Sequence, residues 1–183
     1  MTRRFSPLAL AVALALAAVG ASASAAGQVK APPTRHTFAL GASDFLLDGK
    51  PLQIIGCEMH PSRIPAEYWV HRIRMAKAMG CNTISVYIFW NAHEREEAVF
   101  DFRTGNNDIA RFIRSVQDEG LWAIVRPGPY VCAEWDFGGL PPYLLKDPLL
   151  RVRSLYPTYM KAAERYLARL AAEIRPLLVT RGG

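Results

Sequence analysis

Residues 69–89, WVHRIRMAKAMGCNTISVYIF, place a helix pattern directly before a strand pattern, and this order decides the fold. The apolar stripe that predicts the helix consists of Trp69, Ile73 and Ala76. Gly80 is suited to end that helix, because glycine readily adopts the left-handed backbone of a C-terminal cap. Thr83 to Phe89 is rich in β-branched and aromatic side chains, which are typical of a strand.

The same order of helix and strand patterns continues on both sides of this segment. A strand pattern at Gln53–Cys57 precedes it, and a second helix and a third strand follow at Ile109–Gly120 and Trp122–Val125. After a loop rich in Gly, Pro and aromatic residues, a long helix begins at Pro157. Strands that alternate with helices are typical of a parallel sheet with helices packed against it. The sequence therefore predicts an α/β fold.

An open doubly wound sheet and a closed barrel both fit this alternation. The residues after the first strand, Met59-His60-Pro61-Ser62, lack the glycine fingerprint of a dinucleotide site, which favours the barrel. We therefore expect an incomplete (β/α)8 TIM barrel that covers about the first three βα units. Two short apolar runs, Phe38–Leu40 and Phe45–Leu47, predict strands ahead of it, with a turn at Asp48-Gly49-Lys50.

Residues 1–26 have the order of features found in a signal peptide. Two arginines give a positive start, an apolar run extends from Leu8 to Val19, and small residues then offer cleavage sites. The run is shorter than the roughly 20 residues that span a bilayer. We therefore expect export to the periplasm or the extracellular space, with no membrane anchor. Residues 27–37 are polar and proline-bearing, and they predict a linker to a domain at 38–183.

Charge and cysteine content argue against several other classes of protein. The net charge is +6, but the bases are scattered along the chain, so no nucleic-acid surface is expected. Three cysteines, Cys57, Cys81 and Cys132, are too few for a disulfide framework, and although one disulfide is possible we expect none that is structural. Neither C-x-x-C nor H-E-x-x-H occurs, so we expect no metal site and no cofactor. The sequence does not indicate an oligomeric state.

Unusual polar and aromatic residues concentrate at one predicted rim of the fold. They follow the carboxyl ends of the predicted strands, where barrels carry their active sites. These candidates are Glu58, His60, Tyr87, Trp90, Asn91, His93, Glu94, Arg126, Tyr130, Glu134, Trp135 and Asp136. Aromatic rings suit the C–H face of a pyranose, and mixed donors and acceptors suit its hydroxyls. The rim therefore indicates a sugar site.

Several of these residues also have a structural interpretation. Glu58 and Arg126 pair with each other as readily as with a ligand. His60 and His93 fit hydrogen bonds to backbone or carboxylate groups better than metal ligation or proton transfer. Glu134 has the strongest functional case, because an acid between Cys-Ala and a tryptophan is costly to bury without a partner. Packing or loop-anchoring roles remain open for Trp90, Trp135 and Asn91.

Longer segments around the rim residues carry a family resemblance. They are 45–51, FLLDGKP; 56–61, GCEMHP, with Arg63-Ile64-Pro65; 87–91, YIFWN, with His93-Glu94; and 126–135, RPGPYVCAEW, followed by Gly138-Gly139-Leu140-Pro141. Together they resemble glycoside hydrolase family 35 over nearly all of Phe45 to Gly183. Arg95 and Asp136 stand where many relatives have proline and glutamate, and these differences concern loop shape and aglycone preference.

This resemblance implies a retaining exo-β-galactosidase on a (β/α)8 barrel, which removes terminal β-linked galactose from oligo- or polysaccharides. In the family, the residues matching Tyr87, Cys132, Ala133 and Glu134 contact the galactose. The resemblance further implies that the substrate is a β-galactoside carbohydrate.

The resemblance also implies where the catalytic residues lie. Both catalytic glutamates, the acid/base and the nucleophile, are expected beyond Gly183, so that 38–183 is the N-terminal part of a catalytic domain. Expressed alone, such a part is expected to aggregate or stay partly unfolded and to be inactive, because its sheet edges and apolar inner face are open to water. Two alternatives remain open: a sugar-binding barrel without catalysis, and a related β-glycosidase of different sugar specificity, such as a glucosaminidase.

Overall fold

The computed structural model describes residues 35–183, which contain six strands and four α-helices. The strands are β1 (Phe38–Leu40), β2 (Phe45–Leu47), β3 (Lys50–Leu52), β4 (Gly56–Met59), β5 (Thr83–Tyr87) and β6 (Trp122–Arg126). The helices are α1 (Trp69–Ala78), α2 (Trp90–His93), α3 (Ile109–Asp118) and α4 (Pro157–Ile174). The predicted signal peptide, 1–26, and linker residues 27–34 lie outside the described residues.

The first sheet is a small antiparallel meander of β1, β2 and β3. The predicted turn between the last two strands is present, with positive φ angles of 50° at Asp48 and 74° at Gly49. Such a pair of angles suits a tight hairpin turn. The carboxylate of Asp48 accepts a hydrogen bond from the backbone N–H of Thr37 and lies 2.6 Å from His36 Nδ1. The end of the predicted linker is therefore tied to this sheet.

The second sheet is parallel and has the strand order β4–β5–β6. Gly56 pairs with Thr83, and Thr83 in turn pairs with Trp122, so the three strands start level with one another. Helices α1 and α3 come between consecutive strands along the chain and contact each other. The predicted alternation of parallel strands and outer helices is confirmed from β4 to β6.

The start of β4 differs from the sequence prediction. The predicted strand began at Gln53, whereas pairing begins at Gly56 and extends to Met59. Asn82 explains the difference, because its side chain accepts a hydrogen bond from Ile55 N at 2.9 Å and donates one to the Gln53 carbonyl at 2.7 Å. These backbone groups are thus satisfied by a side chain instead of a neighbouring strand.

The main hydrophobic core lies between the parallel sheet and the helices. It contains the apolar stripes of all three long helices: Trp69, Ile73 and Ala76 of α1, Ile109, Phe112, Ile113 and Val116 of α3, and Tyr159, Ala163, Tyr166 and Leu170 of α4, with Leu167 and Ile174 partly buried against it. The opposite face of α3 is exposed and carries the charged residues Arg111, Arg114 and Asp118. Helical periodicity therefore predicted the buried faces correctly.

A buried ion pair attaches α4 to the segment that follows β5. Glu94 is 0% exposed, and its carboxylate accepts hydrogen bonds from Trp90 Nε1, from Ala98 N and from the guanidinium of Arg165 at 2.9 Å. Burial acts to lower the pKa of Arg165, but the hydrogen bond and charge of Glu94 outweigh it and the pKa is raised. The pair therefore favours the charged form of the Arg165 guanidinium.

A disulfide joins Cys57 and Cys81, with their Cα atoms 6.0 Å apart. The expectation that no disulfide would be structural is therefore wrong. Cys57 lies in β4 and Cys81 comes two residues before β5, so the parallel pairing of these strands brings the two thiols together. A separation of 24 residues along the chain gives no sign of this proximity. Cys132 is the remaining free cysteine and is exposed.

Candidate active site

The rim of the parallel sheet begins with three side chains that share one face. Side chains alternate along a strand, so Cys57, Ile84 and Val125 face the helices while Glu58, Tyr87 and Arg126 lie on the opposite face. Tyr87 and Arg126 are direct partners across the β5–β6 pair. The guanidinium carbon of Arg126 lies 3.9 Å from the centroid of the Tyr87 ring, and its Nη1 donates to Glu58 Oε2 at 2.7 Å. Of the two alternatives that the sequence left open for Glu58 and Arg126, the structure shows that they pair with each other.

The two histidines of the rim form the hydrogen bonds that the sequence suggested. His60 Nε2 lies 3.0 Å from Glu58 Oε1, and the His60 ring contacts Tyr87 edge-on at 5.2 Å. His93 is buried and its Nδ1 lies 2.9 Å from the carbonyl oxygen of Asp101. Burial lowers the pKa of His93, so its imidazole is held neutral. Within residues 35–183, no group of three metal-ligating side chains is arranged to hold a metal ion.

The loop after β6 carries the predicted sugar contacts Cys132, Ala133 and Glu134. Ala133 is buried in a small cluster with Tyr87, Phe89 and Val131, whereas Cys132 and Glu134 are exposed. Glu134 has a positive φ of 46°, a conformation that costs free energy in a residue other than glycine unless surrounding contacts hold it. The loop therefore has a defined backbone shape directly beside Tyr87.

A cleft of about 530 Å³ opens at the carboxyl ends of β5 and β6. Its wall includes Tyr87, Arg126, Tyr130, Cys132 and Arg153. Its volume lies within the range that small-molecule sites occupy, roughly 300–1,000 Å³. The structure thus brings two of the four predicted contacts, Tyr87 and Cys132, into one cleft. Ala133 packs behind Tyr87, and Glu134 follows on the same loop.

The tryptophans of the rim serve packing more than ligand contact. Trp90 is 0% exposed and stacks on Tyr166 at 4.9 Å, so the expectation that it offers a surface to a sugar is wrong. Trp135 stacks on Phe89 with ring centroids 4.2 Å apart, and its Nε1 donates to Asn91 Oδ1 at 2.8 Å. Asn91 therefore anchors the loop, as one of the sequence alternatives suggested.

Two arginines contribute to the rim without having been assigned a role from the sequence. Arg153 lines the cleft, and its guanidinium carbon lies 4.3 Å from the centroid of the Tyr130 ring. It comes from the loop before α4, and nothing local in the sequence indicates that this loop folds over the rim. Arg63 follows β4 and donates hydrogen bonds to the carbonyls of Ala133 and Glu134. Only tertiary structure reveals these contacts.

A second cleft, of about 490 Å³, lies along the open edge of β6. It is lined mainly by apolar side chains that include Leu121, Ala123, Ile174 and Leu177. Leu121 directly precedes β6, so the cleft extends to the amino end of the strand, away from the functional face of a parallel αβ fold. Its composition offers few groups for chemistry, and the rim cleft is the better candidate site.

Comparison with known proteins identifies the family of the chain. The sequence model of glycosyl hydrolases family 35 matches residues 44–183. The chain belongs to this family. It is 44% identical over 147 residues to a β-galactosidase of Xanthomonas manihotis, covering 80% of this chain and 24% of that protein. It is 42% identical over 152 residues to mouse (Mus musculus) β-galactosidase, covering 82% of this chain and 23% of that protein.

The family-35 chain spans about a quarter of the length of the curated relatives that it matches. Among solved structures, an exo-β-1,4-mannosidase from Opitutaceae bacterium strain TAV5 superposes with a TM-score of 0.56 at 17% identity. This superposition covers 72% of the chain and 24% of the mannosidase. At that level of identity the likeness concerns the fold alone.

Gly138 of the family-35 chain is expected to resist substitution more strongly than Gly49. Both have positive φ angles, +61° and +74°, so alanine introduces similar backbone strain at each. A Cβ at Gly138 would overlap the ring of Tyr130, whereas a Cβ at Gly49 meets open space. We expect Gly138→Ala to lower the free energy of unfolding by about 1–3 kcal/mol more than Gly49→Ala does. Urea unfolding of the complete gene product measures the difference, and equal losses would contradict the contact with Tyr130.

Proposed function

We propose that this chain forms the galactose-binding part of a retaining exo-β-galactosidase. In this proposal, β4, β5 and β6 are the first three parallel strands of a (β/α)8 barrel, and the rim cleft is the entrance to its active site. The observation that carries the proposal is the position of Tyr87 and Cys132 in one cleft at the carboxyl ends of the strands. The family resemblance implies that both residues contact galactose. Arg126 also lies over the Tyr87 ring, and this contact holds both side chains in place in the wall of that cleft.

The chemistry of the rim supports recognition of a pyranose. A galactose presents hydroxyls that need both donors and acceptors, and an apolar C–H face. The exposed carboxylate of Glu134 accepts hydrogen bonds from hydroxyls, and the phenol of Tyr87 both donates and accepts. Tyr130 and Phe137 are 39% and 41% exposed and offer flat apolar surfaces. We infer that Cys132 and Ala133 shape the floor of the site through their backbone and small side chains.

A retaining mechanism needs two carboxyl groups about 5–5.5 Å apart, one as acid/base and one as nucleophile. We propose that both are glutamates supplied by later strands of the complete barrel. The residues of this chain then bind and orient the terminal galactose while the two glutamates perform the displacement and the hydrolysis. This division of roles explains why hydrogen-bonding groups are abundant at the carboxyl ends of the first three parallel strands.

We further propose that the protein is exported to the periplasm or the extracellular space. The signal-peptide pattern of residues 1–26 motivates this proposal. The disulfide between Cys57 and Cys81 supports it, because disulfides persist in oxidising compartments and are rare in the cytosol. Among residues 35–183, no helix is long and apolar enough to cross a bilayer.

The test of the proposed function is a substrate panel with the complete gene product. Nitrophenyl β-galactoside is expected to be hydrolysed, and the α-galactoside, β-glucoside and β-glucosaminide to be hydrolysed far more slowly. NMR of the reaction should show the β-anomer of galactose as the first product, because a retaining enzyme makes two displacements. Preferred hydrolysis of the β-glucosaminide would show that the enzyme is specific for a sugar other than galactose. Binding of galactose without hydrolysis of any glycoside would indicate a sugar-binding barrel.

A further inference from the structure

Arg63 joins two parts of the rim that are distant along the chain. Its Nη2 donates to the carbonyl oxygen of Ala133 at 2.7 Å and to that of Glu134 at 2.6 Å. Its guanidinium carbon also lies 5.1 Å from the centroid of the Trp135 ring and 5.6 Å from that of Phe89. The side chain therefore holds the backbone of the loop that carries the predicted sugar contacts.

The other end of the same guanidinium connects to the floor of the rim. Arg63 Nη1 lies 3.0 Å from His60 Nδ1, and His60 Nε2 lies 3.0 Å from Glu58 Oε1. Arginine can only donate, so Nδ1 must accept and Nε2 must carry the proton that is donated to Glu58. Arg63 thereby selects one neutral tautomer of His60.

Glu58 completes the connection to Tyr87. Its second carboxylate oxygen accepts from Arg126 at 2.7 Å, and Arg126 lies over the Tyr87 ring at 3.9 Å. The hydrogen-bonded series Arg63, His60, Glu58 and Arg126, which we call the rim relay, therefore runs from the loop of Ala133 to Tyr87. Hydrogen bonds thus connect the carbonyls of Ala133 and Glu134 to Arg126, and a cation–π contact completes the connection to Tyr87.

We propose that Arg63 is a positioning residue that sets the distance and orientation of the 132–134 loop relative to Tyr87. The proposal rests on the proposed function for its consequence in catalysis, but the loop contacts stand without it. The planar fork of arginine is required, because one terminal nitrogen donates to the two adjacent carbonyls while the other, held in the same rigid plane, donates to the ring nitrogen. A lysine keeps the positive charge but offers a single flexible ammonium group, so it cannot maintain this geometry.

The experiment compares Arg63→Lys with Arg74→Lys in the complete gene product. Arg74 lies on α1, pairs with Glu119 and takes no part in the rim, so it controls for loss of a guanidinium on a helix surface. We expect Arg63→Lys to raise the KM for a nitrophenyl β-galactoside about tenfold, which corresponds to the loss of about one charge-assisted hydrogen bond. The thermal midpoint should stay close to that of the wild type, and Arg74→Lys should alter neither quantity.

Cys132 provides a second readout that does not depend on activity. It is the free, exposed thiol of the loop, whereas Cys57 and Cys81 are joined to each other. Alkylation of Cys132 by iodoacetamide, followed by mass spectrometry of its peptide, should be faster in Arg63→Lys because the loop is less restrained. In the wild type, added galactose should slow the same reaction, because Cys132 lines the proposed site.

The two readouts separate the inference from the proposed function. If galactose fails to protect Cys132 and the wild type cleaves no β-galactoside, the proposed function fails, while faster alkylation in Arg63→Lys still supports the positioning role. If alkylation and KM both match the wild type in a folded Arg63→Lys protein, the positioning role is overturned. A variant that loses its fold and its activity together would assign Arg63 a structural role instead, and this too overturns the proposal.

Discussion

Replacement of Arg165 by methionine is expected to lower the free energy of unfolding by about 3–5 kcal/mol, the usual effect of breaking a buried ion pair from one side. Glu94 is 0% exposed, and the guanidinium of Arg165 is the cation that faces it, 2.9 Å away. Methionine fills a similar volume but leaves the carboxylate buried without its countercharge. Urea unfolding of the complete gene product, followed by tryptophan fluorescence, measures the change.

Arg74→Met is the matched control for this variant. Arg74 pairs with Glu119 at 2.8 Å, but its side chain is 66% exposed, so solvent screens the pair. Exposed pairs contribute about 0–1 kcal/mol, and the control should change stability by no more than that. The double variant Glu94→Gln with Arg165→Met should recover part of the loss, because it removes the uncompensated charge. Equal losses in Arg165→Met and Arg74→Met would show that Glu94 is not buried as described.

The Glu94–Arg165 pair connects stability to the candidate site. Glu94 also accepts a hydrogen bond from Trp90, the first residue of α2. Helix α2 follows closely after strand β5 along the chain. Tyr87 is the last residue of that strand. The long helix α4 carries Arg165 and therefore stabilises the position of the rim, although none of its residues lines the rim cleft.

Local pattern was sufficient to predict most of the scaffold. Helix α3 illustrates this, because Ile109, Phe112, Ile113 and Val116 recur at helical spacing and all four are buried. Strand β5 is similar, since its β-branched residues place Ile84 and Val86 in the core. These features depend on periodicity within one element, and a single sequence contains that information.

Contacts between distant segments could not be predicted in this way. The pairing of Cys57 with Cys81 depends on the register of two parallel strands, and cysteine spacing alone does not contain it. The burial of Trp90 depends on Tyr166 of α4, which packs flat against its ring. The sequence left both ligand contact and packing open for Trp90, and a helix far along the chain decides that it packs in the core.

In the candidate site too, residues in local motifs could be predicted from the sequence, whereas contacts between distant segments could not. Tyr87 and Cys132 were named from their motifs, and both line the rim cleft. Arg153 reaches that cleft only because a distant loop folds over Tyr130. Arg63 stands within one of the quoted motifs, but its role is defined by carbonyl groups that lie 70 and 71 residues away. Backbone acceptors carry no mark in a sequence, so a positioning arginine of this kind is visible only in three dimensions.

Glu134→Gln is expected to reduce kcat/KM for a β-galactoside by about 10–100-fold in the complete gene product. Hydrogen bonds to a charged group contribute about 1.5–3 kcal/mol, and glutamine keeps the shape of the side chain while removing the charge. The carboxylate of Glu134 is exposed and joins none of the ion pairs formed by the described residues. The substitution should therefore leave the thermal midpoint nearly unchanged, and the loss should reflect contact with the sugar.

Asp136→Asn separates that contact from a general effect of charge on the loop. Asp136 is an exposed acid two residues further along the same loop, and only its backbone carbonyl is engaged, by Asn91 at 3.3 Å. We expect its kcat/KM to stay within about twofold of the wild type, because the Asp136 side chain forms no hydrogen bond or ion pair among the described residues and asparagine keeps its shape. The backbone carbonyl of Glu134 that binds Arg63 is the same in both variants, so loop position is held constant. Equal activity of Glu134→Gln and the wild type, or equal losses in the two variants, would remove Glu134 from the galactose site.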